Sequence, residues 1–158
     1  MAAAITLEPT FRNRELSVNV KISDLMAGKV FTVAPNDCVA DVRKLMDQHG
    51  IHAVPVLDGD EEIFGIVSTA DLVKVVDGST AVARVATRKV YSIPQYNDIS
   101  AAARLMRKHR IHHVLVTHEK KLVGILSSFD LLQLVENHRF SVKSGPTPSK
   151  RRKGGDPD

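Results

Sequence analysis

One phrase is written twice in this chain of 158 residues: Gly65-Ile66-Val67-Ser68-Thr69-Ala70-Asp71 returns as Gly124-Ile125-Leu126-Ser127-Ser128-Phe129-Asp130. The agreement extends upstream. Residues 49–56 (His-Gly-Ile-His-Ala-Val-Pro-Val) align with 109–116 (His-Arg-Ile-His-His-Val-Leu-Val), and Leu45-Met46 with Leu105-Met106, at an offset of 60. One residue is lost in a turn, and the two phrases align at 59. A duplication on this scale makes the repeat the structural unit. A unit of about 55 to 60 residues buries too little surface to be comfortably stable alone, so the halves are expected to pack on each other.

Within each half the pattern predicts strand, helix, strand, strand, helix. In the first half, residues 29–33 are rich in β-formers and are stopped by Pro35. Asn36 or Asp37 is expected to cap a helix on which Val39, Val42, Leu45 or Met46, and His49 share one side, and Gly50 to close it. Ala53 to Leu57 reads as a buried strand, Asp58-Gly59-Asp60 as a turn, and Ile63 to Val67 as the returning arm of an antiparallel hairpin. Ser68 then opens a short helix bearing Leu72, Val73, Val75 and Val76, and Asp77-Gly78-Ser79 ends it. Ahead of all this, Ile22-Ser23-Asp24-Leu25-Met26 reads as a helical turn.

The fold class expected is α/β (α+β): two tandem β-α-β-β-α repeats packed sheet to sheet about a pseudo-two-fold axis, which generates two related clefts. The repeats fall at 20–78 and 79–138. Before them lies an N-terminal arm, 1–19, near whose end Leu16 and Val18, and then Val20 at the start of the repeat, alternate with polar residues. After them comes a tail at 139–158, rich in Gly, Pro, Ser and charge, that reads as disordered.

With 43 % apolar and 25 % charged residues the chain has the composition of a soluble globular protein. Its one cysteine, Cys38, rules out an intramolecular disulfide framework and fits a reducing, cytoplasmic setting. Near a helix start but with no base to activate it, Cys38 reads as structural. Residues 1–10 have neither the basic start nor the apolar stretch of a secretory signal, and no segment reaches membrane-spanning length. The formal charge of +4 is concentrated in residues 141–158, where Lys143, Lys150, Arg151, Arg152 and Lys153 outweigh Asp156 and Asp158 and leave the rest near +1. That distribution argues against nucleic-acid binding. Residues 150–153 lack interleaved aromatics and read as a solvated tail rather than a polyanion hook.

A glycine, two aliphatic residues, a hydroxyl and a carboxylate three positions on describe a strand turning into a helix. The serine would be the N-cap and the aspartate would sit in the first turn. The plainest meaning is a capping box, in which Ser68 with Asp71, and Ser127 with Asp130, satisfy free amides. Written twice, the phrase also describes two equivalent places where a polyhydroxy ligand rests against exposed amides. His109, His112, His113 and His118 do not make a metal set, because His112 and His113 fall in or beside a strand, where successive side chains diverge. No nucleophile with a base, no metal set and no phosphate-binding glycine loop of the P-loop kind is recognisable, so the chain does not read as an enzyme.

Taken together and in order, the Ser-Asp-Leu-Met opening, the Leu-Met helix, Ile-His-x-Val-x-Val and Gly-Ile-(Val/Leu)-Ser-x-x-Asp resemble a stand-alone pair of cystathionine β-synthase (CBS) domains, the Bateman module, over residues 20–138. The resemblance implies a regulatory module that binds an adenine nucleotide (AMP, ADP or ATP) or S-adenosylmethionine between its repeats and transmits occupancy to a regulated protein. By position it implies that Asp71 and Asp130 take ribose hydroxyls, with Ser68 and Ser127 capping and touching ribose or phosphate. It implies one adenine slot lined by Thr32, Val33, Ile51, His52, Ala53 and Val54. The counterpart slot would use Ser92, Ile93, Ile111, His112, His113 and Val114. Where nucleotide-binding relatives carry a His-Arg pair for phosphate, this chain has His52-Ala53 and His112-His113, without the permanent cation. The resemblance also implies a homodimer of two such pairs. The competing reading is a ligand-free dimerising or protein-interaction scaffold, which has no need of Asp71 and Asp130.

Overall fold

In the computed structural model, which describes residues 20–136, the first element is a single helical turn, α1 (Ile22–Leu25). Helix α2 (Val39–His49), strands β1 (Ala53–Leu57) and β2 (Ile63–Ser68) and the short helix α3 (Thr69–Leu72) complete the first repeat. The second runs through a 3-10 turn (Val82–Arg84), β3 (Ser92–Pro94), α4 (Ile99–His109), β4 (His113–His118), β5 (Lys121–Ser127) and α5 (Ser128–Glu136). The N-terminal arm, the basic tail and residues 137–138 lie outside the described residues. The mixed α/β plan of two repeats is as the sequence predicts. The repeats differ in their opening strand: β3 pairs in parallel with β4, whereas residues 29–33 contribute one parallel bridge, Val33 to Val56. Among the described residues no helix is long and apolar enough to cross a membrane.

Local chemistry sets most of the boundaries. α2 stops at Gly50, which is left-handed at φ 60°, and α4 stops at the aligned Arg110, at φ 54°. The N-cap of α2 is Cys38, not Asn36 or Asp37. The Asp37 carboxylate instead accepts the N–H of Ala34 at 2.7 Å, so it closes the turn around Pro35 before the helix begins. Cys38 Sγ donates to Asp41 Oδ2 at 3.0 Å. In the hairpin turn the left-handed residue is Glu61, at φ 60°, while Asp58 Oδ1 accepts the N–H groups of Asp60 and Glu62, each at 3.0 Å. α3 is shorter than its apolar pattern predicts: it ends at Leu72, and Val73 and Val76 are exposed. The Arg43 guanidinium donates to the carbonyls of Leu72 and Val75, which satisfies groups that a longer helix would have used itself.

Two apolar cores lie side by side, one around Val39, Val42 and Val54, the other around Ala102, Met106 and Val114. Neither is made by one repeat alone. Ile22 of α1, with no exposed surface, packs into the second core, and Val82 of the 3-10 turn packs into the first. Backbone bonds follow the same crossing. Ile22 and Ser23 donate to the carbonyls of Asn97 and Gln95, each at 3.0 Å, and Ala27 donates to that of Ile125 at 3.1 Å. In the other direction Val82 donates to the carbonyl of Asp37 at 2.8 Å, and Thr87 exchanges two bonds with Ile66, at 2.8 and 3.0 Å. Each repeat has lent its opening segment to the other.

The exchange explains the glycine in the repeated phrase. A Cβ on Gly65 would lie 2.8 Å from the carbonyl oxygen of Thr87, and one on Gly124 would lie 2.5 Å from Met26 Sδ. At Gly65 only a bare backbone lets the borrowed segment come this close, whereas at Gly124 the nearest atom belongs to the flexible Met26 side chain and the Ala27 carbonyl lies 3.3 Å away. Past these contacts each opening segment turns back to its own sheet. On the way Phe31 stacks on His49 with ring centroids 3.8 Å apart, and Tyr91 stacks on His109 at 4.1 Å.

Candidate functional site

The seam between the two hairpins holds two cavities. In each, the carboxylate of one repeat faces the Ile-His stretch of the other. The first, about 460 Å³, is bordered by Ser127, Ser128, Phe129 and Asp130 on one side and by Ile51, His52 and Ala53 on the other. The second, about 290 Å³, has Ser68, Thr69 and Asp71 opposite Ile111, His112 and His113. The crossing segments close them: Ala27 borders the first, and Thr87, Lys89 and Tyr91 border the second. A larger hollow of about 580 Å³ lies between the hairpin turns, where Asp60, Glu61 and Glu62 face Lys120 and Lys121. It has no repeated counterpart and no carboxylate held by a cap.

Both aspartates are held at one oxygen. Oδ2 of Asp71 accepts the N–H and the hydroxyl of Ser68 at 2.8 and 2.7 Å, and Oδ2 of Asp130 accepts the same pair from Ser127 at 2.7 Å each. The Asp130 N–H donates to Ser127 Oγ at 3.1 Å, completing the box. The capping and ligand readings are therefore compatible, because capping takes one carboxylate oxygen and leaves the other. Around that second oxygen the clefts differ: Thr87 Oγ1 donates to Asp71 Oδ1 at 3.5 Å, and the residue aligned with Thr87 is Ala27, which has no hydroxyl. The helices that carry the aspartates are pinned to the hairpins. Thr69 N–H donates to the His52 carbonyl at 2.9 Å, and Ser128 N–H to that of His112 at 2.8 Å.

His52, His112 and His113 border both cavities. His112 Nδ1 lies 3.3 Å from Ser128 Oγ. Burial pushes the His113 imidazole below the usual histidine range; repulsion from His112 and His52 adds to this, and Asp130 partly offsets it. Among the described residues no group of three His, Cys, Asp or Glu side chains is arranged to hold a metal ion.

The structure brings together Ile51, His52, Ala53, Ser127 and Asp130 in one cleft and Ile111, His112, His113, Ser68 and Asp71 in the other. Six residues named from the resemblance lie elsewhere. Val54 and Val114 have no exposed surface and point into the cores, because strand alternation turns them away from the seam. Val33 and Ile93 pack against the cores, and Thr32 and Ser92 are exposed without bordering either cavity. Ala27, Thr87, Lys89, Tyr91 and Phe129 were not singled out. Lys29 and Lys89 align at the same offset of 60, as do Phe31 and Tyr91. That spacing marks the crossing segments, although nothing in it says which cleft they border.

Comparison with known proteins agrees with this construction. The CBS domain family matches residues 22–78 and 82–137. A homoserine O-acetyltransferase of Methanosalsum zhilinae is 32% identical over 123 residues, which are 77% of this chain and 25% of that protein. The chain spans 25%, 40% and 23% of the length of three curated relatives it matches. Among solved structures, a conserved protein of Pyrococcus horikoshii is 26% identical with a TM-score of 0.70, covering 78% of this chain and 97% of that one. The CBS domain pair of protein MJ0100, solved with 5′-methylthioadenosine and S-adenosyl-L-methionine, is 23% identical with a TM-score of 0.70, covering 74% and 96%. Two matched repeats, a shared fold and two seam clefts lead to one conclusion: this chain belongs to the CBS domain family, as a pair of CBS domains.

Proposed function

We propose that this chain is a regulatory module that binds an adenosine-containing small molecule between its CBS repeats and passes the occupancy on to a partner protein. The observation that carries the reading is a carboxylate whose capping bonds occupy one oxygen and leave the other turned to a cavity, present twice. With Oδ2 fixed by a serine, Oδ1 of Asp71 or Asp130 accepts from a ribose hydroxyl, and the Ile-His stretch of the opposite repeat receives the base. Serine capping alone does not require that each carboxylate border a cavity. The fold is also one that, in the MJ0100 pair, holds adenosyl compounds. The ligands to test are AMP, ADP, ATP and S-adenosylmethionine.

Calorimetric titration of Asp71→Ala, Asp130→Ala and the double variant tests the assignment. Loss of a hydrogen bond to a charged group costs about 1.5 to 3 kcal/mol, or roughly 10- to 150-fold in affinity. Unchanged affinity in all three variants would sink it.

A second reading, a dimerising scaffold, has its own observation. Phe129, Leu132 and Val135 recur every third residue along α5 and are 75%, 54% and 52% exposed. A chain that dimerises but gives no heat with any of the four ligands would be that scaffold.

A further inference from the structure

The two clefts are built from aligned residues, so each difference between them is a change of chemistry at one place. Thr87 of the Asp71 cleft is Ala27 in the Asp130 cleft, and Ala70 is Phe129, which is mostly exposed at the rim. Lys89 borders the Asp71 cleft, its Nζ 5.8 Å from the centre of the Tyr91 ring. The aligned Lys29 sits 5.1 Å from the centre of Phe31 and borders neither cleft. Among the described residues no lysine or arginine borders the Asp130 cleft. The shared imidazoles do not separate the two, and His113, kept below the usual histidine range, does not supply the missing cation at neutral pH.

Building on the adenosine reading above, we propose that the two clefts take different ligands: the Asp71 cleft a phosphorylated adenosine, held by Lys89, and the Asp130 cleft an unphosphorylated adenosyl compound, neutral or bearing a sulfonium cation. A phosphate in the first cleft meets a permanent ammonium, while the Thr87 hydroxyl there already donates to Asp71. In the second it meets a carboxylate without a compensating cation. There a sulfonium gains the carboxylate and the neighbourhood of the Phe129 ring at the rim, and aromatic rings attract cations. The larger volume of the Asp130 cleft also suits a longer substituent on the ribose.

Titrations of the full chain with AMP and with S-adenosylmethionine test the division. Each is expected to bind at one site per chain, and saturation with one to leave the stoichiometry of the other unchanged. In Lys89→Met the ratio of AMP to S-adenosylmethionine affinity is expected to fall about 10-fold, the loss of one charge-assisted contact. Lys89 is exposed and belongs to neither core, so the substitution leaves the fold in place. Competition of the two ligands for one site overturns the division while leaving adenosyl binding intact, as does an unchanged ratio in Lys89→Met. Absence of binding by both overturns the division together with the reading it rests on.

Discussion

His113 stands where the two clefts meet, and its titration should register in stability. Its pKa in the folded chain is depressed by burial and by His112 and His52, so between that value and the ordinary 6.5 the unfolded chain binds more protons than the folded one. The stabilisation linked to this group is therefore fully present above about pH 6.5 and is lost as pH falls toward the folded value. Melting curves between pH 5 and 8 should show a decline on the acid side that is shallower in His113→Gln. Equal slopes in the two proteins would place the acid sensitivity elsewhere. The glycines make a separate residue-scale prediction. Gly50→Ala meets nothing within 4 Å, so it should cost only the left-handed backbone penalty, about 1 kcal/mol. Gly65→Ala meets a backbone carbonyl and should cost about 1 to 3 kcal/mol, the range of an overpacked site. Urea denaturation of the two variants distinguishes the causes, and a harmless Gly65→Ala would mean that the borrowed segment gives way. Gly50 and the two aspartates were legible in the sequence because their roles are local: a helix stop and a cap. Lys89 and Thr87 were not, since their place in a cleft depends on where a segment crosses in space.

Among the elements, the helices and hairpins that rest on periodicity and turn chemistry were legible, β1, β2 and the stop of α2 most directly. The start of α2 was misplaced because two acceptor side chains precede it, and Asp37 serves the turn at Ala34 rather than the helix. The apolar run Val73, Val75 and Val76 suggested a longer α3. The decisive group, Arg43, lies 29 residues from Leu72 in the chain, beyond the reach of any local pattern. Arg43→Met keeps the bulk of the side chain but leaves the two carbonyls without their charged donor. It should destabilise the protein by about 1.5 to 3 kcal/mol. Hydrogen exchange should quicken first at the end of α3, and a variant as stable as the parent would show that water caps those carbonyls equally well.

At the scale of the molecule, the duplication and the packing of its halves were legible, but the exchange of openings was not, because an internal repeat reads the same whether each copy keeps or lends its first segment. The exchange predicts that residues 20–79 and 80–136, produced separately, each remain unfolded, and that mixing them restores a cooperative transition, since each fragment carries part of both cores. A cooperative melt of one fragment alone would contradict the shared cores. The apolar face of α5 bears on assembly. Two-fold dimers are the commonest oligomers, and we expect light scattering to return twice the mass of one chain, falling toward a single chain when Phe129 and Leu132 are replaced by serine. A chain that stays single at all concentrations would remove the dimer.

The lent openings also bear on descent. A molecule half this length, with its opening segment shaped for a neighbour's core, could close that core only by embracing a second copy. Joining two such halves in one chain turns an encounter that would depend on concentration into one governed by a short tether, with an effective concentration on the order of millimolar. Freed from the need to be identical, the halves could then diverge one residue at a time. Thr87 against Ala27 and Ala70 against Phe129 are changes that a symmetric ancestor would have had to make in both clefts at once.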